Sequence, residues 1–308
     1  MRGLVILLVA GCGSSAAGSD AAADDAAVPD DGMSSCPSGQ WCTEAAPVSG
    51  VLLHAVWAVD PGVVFAVGSG GVILRRQNNA WTHMTSTTTA NLTGVWAASA
   101  TDAWAVGEAG TILRYNGSVW SPQAGLSGDL GAVLGFATDD VYITGLGSVA
   151  HWNGATFTTQ AIPGAPFALT GVAANDVWVT GEDSRVSHFT DTWTTGISPG
   201  AGNTYFTIHQ VAANDVWVSN VTAGSETLRF DGKSWIAHTA GAGTVFQGFR
   251  SISAADIWAA GGSEVGHWDG TAWTTEQPAG AAAQFFAIHG SGTFIWVVGS
   301  DSAILHRN

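Results

Sequence analysis

The chain is expected to be all-β, a seven-bladed β-propeller of four-stranded antiparallel blades in which an N-terminal strand closes the last blade. Three observations predict it. First, an aromatic residue, one or two small apolar residues and a glycine recur as FAVG, WAVG, YITG, WVTG, WVSN, WAAG and WVVG. The aromatics are Phe65, Trp104, Tyr142, Trp178, Trp217, Trp258 and Trp296, seven copies at steps of 39, 38, 36, 39, 41 and 38 residues. A period of about 40 residues is that of a propeller blade. Second, the composition suits short strands and tight turns. The chain has 41 Gly and 15 Trp, and only 11 % of its residues are charged, against roughly 25 % in an ordinary globular protein. Third, the last repeat stops at Ala303–Asn308, one strand short, while Gln40-Trp41-Cys42-Thr43 stands as an orphan strand near the start.

Each element of a blade can be read in the second copy, Leu92 to Trp120. Leu92 and Val95 begin an inner strand, Asp102–Val106 a second and Thr111–Arg114 a third, and Trp120 opens the outer strand. Asp stands two residues before the aromatic at Asp102, Asp140, Asp176, Asp215 and Asp256. Such an Asp is expected to accept backbone N–H bonds from the turn it closes. Asn116-Gly117, Asn153-Gly154, Asp231-Gly232 and Asp269-Gly270 precede Trp120, Phe157, Trp235 and Trp273, and are expected to form type I′ turns between the third and fourth strands. The residue three after the aromatic is Gly68, Gly107, Gly145, Gly181, Gly261, Gly299 or, in the fifth copy, Asn220. Both residue types tolerate positive φ, so a left-handed turn position is expected there. Six outer-strand aromatics, Trp81, Trp120, Phe157, Trp193, Trp235 and Trp273, become seven when Trp41 is added. Overlap of the two ends would leave no unpaired sheet edge.

Ahead of the propeller the chain divides into residues 1–11, read as a lipoprotein signal peptide, and 12–35, a flexible tether. Met1-Arg2, the apolar run Leu4–Ala10 and Gly11-Cys12 have the order of a basic n-region, an h-region and a cleavage site. Val9-Ala10-Gly11-Cys12 resembles a bacterial lipobox, which implies a lipidated Cys12 and a location at the bacterial outer membrane or cell surface. The Gly-, Ser-, Ala- and Asp-rich stretch that follows cannot bury a core. Two cysteines six positions apart in an exported chain, Cys36 and Cys42, are expected to form a disulfide.

The net charge is -15, with nine Lys and Arg against 24 Asp and Glu. Without a basic cluster to neutralise phosphates, a nucleic-acid partner is excluded. No cofactor, metal site or catalytic residue is expected. Arg75, Arg114 and Arg229 share one position six before the outer-strand aromatic, with His151 and His267 in the same place and His188 and His306 close equivalents. This reads as a repeated structural feature. His54, His83, His209, His238 and His289 fall outside it, and their spacing suggests no site.

The Asn/Asp-Gly-x-x-Trp hairpins are similar to the Asp-box of sialidase-like propellers, though without its Ser or Thr and its Asp–Gly spacing. The whole DVWAVG register resembles the repeat of bacterial surface propeller lipoproteins, over nearly all of the chain after Gln40. A sialidase likeness would imply an arginine triad and a tyrosine nucleophile. Of Tyr115, Tyr142 and Tyr205, only Tyr205 is expected in a channel-side loop.

The candidate functional surface is the face opposite the Asn-Gly turns. There the turns between second and third strands carry Glu108, Glu182, Asp183, Glu264 and Asp301, an acidic rim for a ligand, near longer outer-to-inner loops such as Thr194–Thr204. The expected function is binding or scaffolding of a protein or glycan by a monomer, attached to the membrane through its lipid alone. The alternative is a glycan-cleaving enzyme with carboxylates at the channel mouth. The fifth copy, with Asn220 and the longer turn Val221–Ser225, departs most from the others.

Overall fold

In the computed structural model, the residues described are 36–145, 147–181, 185–199, 204–220, 226–239, 244–279 and 283–308. The chain divides into Met1–Asp31 and Gly32–Asn308, and the described residues lie in the second unit. The readings on Cys12, the signal peptide and the tether fall outside them, as do Glu182, Asp183 and the turn Val221–Ser225.

Among the described residues there are seven four-stranded antiparallel sheets. Six run in chain order from inner to outer strand, and the seventh is completed by Trp41–Thr43, which pairs antiparallel with Ile304–Arg307. The overlap closure read from the two ends is therefore present. Cys42, within this strand, forms a disulfide with Cys36 just ahead of it. The innermost strands are Leu53–Asp60, Leu92–Ser99, Leu130–Ala137, Pro166–Ala173, Tyr205–Ala212, Gly248–Ser253 and Phe285–Ser291. Each touches the next around the ring.

The repeat aromatic works between blades. Trp104, fully buried, packs on Trp152 (ring centroids 5.8 Å apart) and Phe157 of the third blade. Phe65 meets Trp120 of the second blade, Trp178 meets Trp235 of the fifth, and Trp217 meets Trp273 of the sixth. At the closure Trp258 meets Trp41, and Trp296 meets Trp81 of the first blade at 5.7 Å. Edge-on aromatic pairs of this kind add about 1 kcal/mol each beyond the area they bury.

The residue paired across the ladder from that aromatic is Arg75, Arg114, His151, His188, Arg229, His267 or His306. The cation or imidazole lies over the ring, 3.8 Å between centroids for His188 on Trp178 and 5.1 Å for Arg114 over Trp104. Here the Asp residues before the aromatic find their use, and it corrects the expectation. Asp102 and Asp215 take bidentate bonds from Arg114 and Arg229, while Asp140, Asp176 and Asp256 pair with His151, His188 and His267. A carboxylate two residues from the aromatic lies beside the neighbouring strand's guanidinium or imidazole, and charge-assisted bonds to it outweigh neutral turn N–H donors.

Two turn readings are also corrected. The Asn-Gly and Asp-Gly sequences form four-residue loops rather than type I′ turns. Asn116 Oδ1 accepts the N–H groups of Ser118 and Val119, and Gly117 alone takes φ +92°. Two consecutive left-handed residues, as type I′ requires, occur at Asn78 and Asn79 of the first blade. The glycine after the aromatic is not left-handed either: Gly107 has φ −172°, which is extended backbone. It is glycine because a carbonyl comes close, a Cβ there falling 2.1 Å from Asn91 O. The carbonyl before each inner strand makes the same approach at Gly68, Gly261 and Gly299. The left-handed residue sits two positions later in the turn, at Gly70, Ala109 and Asp301. Gly107→Ala is therefore expected to cost about 3 kcal/mol through overpacking. Gly70→Ala, at φ +67° with nothing within 4 Å, is expected to cost only about 1 kcal/mol. Urea denaturation of the two variants measures the difference.

Candidate functional site at the central channel

The residue on each inner strand that pairs with the repeat aromatic is Trp57, Trp96, Leu134, Thr170, His209, Arg250 or His289. These seven form one level of the channel wall. The first three are apolar, and blades five to seven bring His209, Arg250 and His289. None is a carboxylate.

An innermost strand has a free edge, and its N–H groups need acceptors. Side chains of this level supply them across blade boundaries. His289 Nδ1 accepts from Ala58 N–H at 2.9 Å, His209 Nε2 from Ser251 N–H at 3.1 Å, and Thr170 Oγ1 from Gln210 N–H at 3.0 Å. Ser251 Oγ adds a further bond to His209 Nε2 at 2.8 Å. Where Trp96 fills the level, its indole lies over Gly135, at which a Cβ would fall 2.5 Å from the ring. The imidazole of His289 stacks on Trp57 with centroids 4.0 Å apart.

An acceptor nitrogen carries no proton, so both imidazoles are neutral in the fold. Burial pushes His209 from 6.5 down to about 4, with the Arg250 charge adding to the effect. It pushes His289 to about 3, helped by Arg250 and then His209. These residues escaped the sequence reading, which found no spacing among the histidines. The signal exists: the channel position lies eight residues before the repeat aromatic in six blades and seven before it in the last.

Three residues earlier, at the channel mouth, stand His54, Thr93, Gly131, Phe167, Phe206 and Phe286 on the inner strands and Gln247 just before one. Phe167 and Phe206 stack with centroids 5.8 Å apart, and Phe206 is 50 % exposed. Phe286 meets His54 at 6.3 Å across the closing boundary.

Around that mouth are the turns of the acidic rim. Glu108 is exposed and accepts a hydrogen bond from Asn91 Nδ2, whose Oδ1 holds the N–H of Gly70 in the preceding blade. Glu264 is half-buried and bonded by the Thr244 hydroxyl. Asp301 is exposed in a left-handed turn position, on the wall of a cavity of about 370 Å³ shared with Glu44 and Val48. Two of the three described rim carboxylates thus also fasten loops. Among the described residues no group of three or more His, Cys, Asp or Glu is placed to hold a metal, and no helix is long and apolar enough to cross a membrane.

Among the described residues nothing resembling a sialidase centre is brought together. Arg75, Arg114 and Arg229 belong to three blades, each over its own aromatic ring. Tyr115 donates to Gly117 O and Tyr142 to Ala174 O, and burial pushes the Tyr142 phenol up to about 12. Tyr205 is fully buried at the start of an inner strand, not in a channel-side loop. Its ring follows the sheet alternation inward and leaves the next residue, Phe206, outside.

The chain matches no protein-family model and no curated protein. Solved structures share its fold. YCF48 bound to a D1 peptide superposes with a TM-score of 0.74 at 13 % identity, covering 88 % of this chain and 98 % of that one. Virginiamycin B lyase from Staphylococcus aureus gives 0.78 at 12 %, covering 87 % and 98 %. The WD40 propeller domain of Doa1 gives 0.73 at 15 %, covering 87 % and 96 %.

Proposed function

We propose that this propeller is a binding or scaffolding module whose protein or glycan partner docks at the channel mouth. The observation that carries the reading is the stacked pair Phe167 and Phe206, with Phe206 half exposed beside the channel. An aromatic surface of this kind, ringed by polar turns, is what a partner's apolar group would cover. The acidic residues Glu108, Glu264 and Asp301 would favour a partner with cationic groups at its edge. YCF48, whose fold this chain shares, is known in a peptide-bound form, which supports a peptide-like partner. For the glycan-cleaving alternative, two carboxyl groups would have to face each other. The channel level of His209, Arg250 and His289 contains none.

We infer from Met1–Cys12 that the chain is exported and lipidated on Cys12, so that the residues up to Ser35 tether the propeller to the outer membrane or cell surface. Mass spectrometry of the mature N-terminus should find an acylated Cys12, and an unmodified or different first residue would remove the anchor from this reading.

Affinity capture from envelope extracts tests the surface. A soluble Cys12→Ala chain is expected to recover a partner that the same chain with Phe206→Ser and Phe286→Ser retains about tenfold less well. Equal recovery by both would overturn the aromatic mouth as the docking surface. Hydrolysis of an envelope glycan by the chain, lost on Glu108→Gln or Glu264→Gln, would put the enzyme reading in its place.

A further inference from the structure

We propose that the channel wall of blades five to seven is a carboxylate-binding site, in which Arg250 grips the anion, His209 and His289 donate to it, and the half-buried Trp57 beside them receives an apolar body. This rests on the propeller's being a binding module and names the chemistry its channel would take.

Arg250 is the reason to look here. The chain has 24 acidic residues for nine basic ones, yet among the described residues Arg250 enters no ion pair, unlike Arg76, Arg114, Arg229 and Arg307. Its Nη2 donates to Gly292 O at 3.2 Å, and its Nε is buried without a hydrogen-bond partner. Burial lowers the guanidinium's pKa, and no carboxylate counters it. A half-buried guanidinium on the channel wall that no carboxylate neutralises is half of a bidentate pair.

The flanking histidines complete the anion's surroundings. His209 bonds Ser251, the chain neighbour of Arg250, and the Arg250 Nε lies 3.1 Å from where a Cβ of Gly290, next to His289, would stand. The three side chains therefore follow one another around the wall. Because His209 accepts through Nε2 and His289 through Nδ1, their protons lie on Nδ1 and Nε2 respectively, and neither nitrogen makes a hydrogen bond among the described residues. The set offers one positive charge and neutral N–H donors. That balances a monoanion with two oxygens better than a phosphate dianion. The level continues through Trp57, half-buried and stacked on His289. A ligand held at Arg250 would thus have the Trp57 indole beside it.

Titration of the full chain with N-acetylphenylalanine, N-acetylphenylalanine amide and inorganic phosphate, read by the imidazole nitrogen resonances of His209 and His289, tests the site. The free acid is expected to shift both histidines and to bind about tenfold more tightly than the amide or phosphate. Arg250→Gln should lose about tenfold in affinity for the acid and leave the amide unchanged. The proposal falls if the acid does not bind, if acid and amide bind alike, if phosphate binds more tightly, or if Arg250→Gln retains full affinity. Should that variant not fold, the acid-against-amide comparison on the unaltered chain decides. A peptide ending in phenylalanine, with free or amidated C-terminus, separates a polypeptide end from a small acid as the source of the carboxylate. Undiminished partner capture by the Phe206 and Phe286 variant, with normal acid binding, would remove the mouth as docking surface and leave the channel site. Partner capture that is lost in that variant, with no acid binding by the unaltered chain, would do the reverse.

Discussion

Glu44→Ala is expected to destabilise the propeller by about 4 kcal/mol, the cost of stripping one partner from a buried ion pair. Glu44 follows the closing strand and enters the boundary between the last and first blades. Both its oxygens take bonds from Arg76 at 3.2 Å, and Oε2 also accepts from the Trp81 indole at 2.6 Å. His306 of the last blade stands 3.3 Å from Oε1. Arg76 is completely buried and lies over Trp296 at 4.9 Å. One carboxylate therefore ties the N-terminal strand, the first blade and the seventh together. Removing it leaves a guanidinium with no solvent and no counter-charge. Thermal unfolding should shift downward by about 10 °C for a domain of this size. A double variant, Glu44→Leu with Arg76→Met, should be less destabilised than Glu44→Ala, because no charge is then stranded. If Glu44→Ala unfolded at the wild-type temperature, ring closure would rest on strand pairing alone.

Acid is the second strong lever. His209 and His289 have folded-state pKa values lowered from 6.5 to about 4 and about 3. The unfolded chain therefore takes up protons that the folded channel refuses. Stability from these groups is complete above 6.5 and is lost as pH falls from there toward the folded values. For two such histidines the loss between pH 6.5 and about pH 5 is about 3 kcal/mol. The window is distinct from that of Asp269, whose carboxyl is held near 2 by the Thr271 hydroxyl and the N–H groups of Ala272 and Thr271. Its contribution is present above its ordinary 3.8 and is lost only at lower pH. Denaturant unfolding at a series of pH values measures the slope. His209→Gln with His289→Gln should flatten it above pH 5, since an amide oxygen can still accept the edge N–H, as Gln210 does from Val172. An unchanged slope in that double variant would show that other groups carry the acid sensitivity.

The blade count, strand order, overlap closure and disulfide were legible in the sequence because each rests on a local signal repeated seven times or on residues close in the chain. Trp104 and its equivalents could be named from spacing alone, since a blade cannot seat its neighbour without a large ring at that place. Residue chemistry without partners misled at three points. Asp102 and its equivalents had the composition of turn acceptors, but the adjacent strand delivers Arg114 or an imidazole to the same carboxylate. Gly107 and its equivalents had the composition of left-handed turns, whereas a carbonyl from the neighbouring inner strand excludes any side chain. The Asn-Gly pairs close four-residue loops, a difference set by strand pairing.

The sequence by itself determined the propeller, its seven repeats, the identity of the stapling aromatics and the acidic character of the chain. Only the tertiary structure decided what lines the channel. His209, Arg250 and His289 are some forty residues apart and differ in kind, so no repeat signal links them. They meet because ring closure turns seven equivalent strand positions toward one axis, and their neutral or unpaired states arise from backbone N–H groups and a desolvated wall that exist only once the ring is closed.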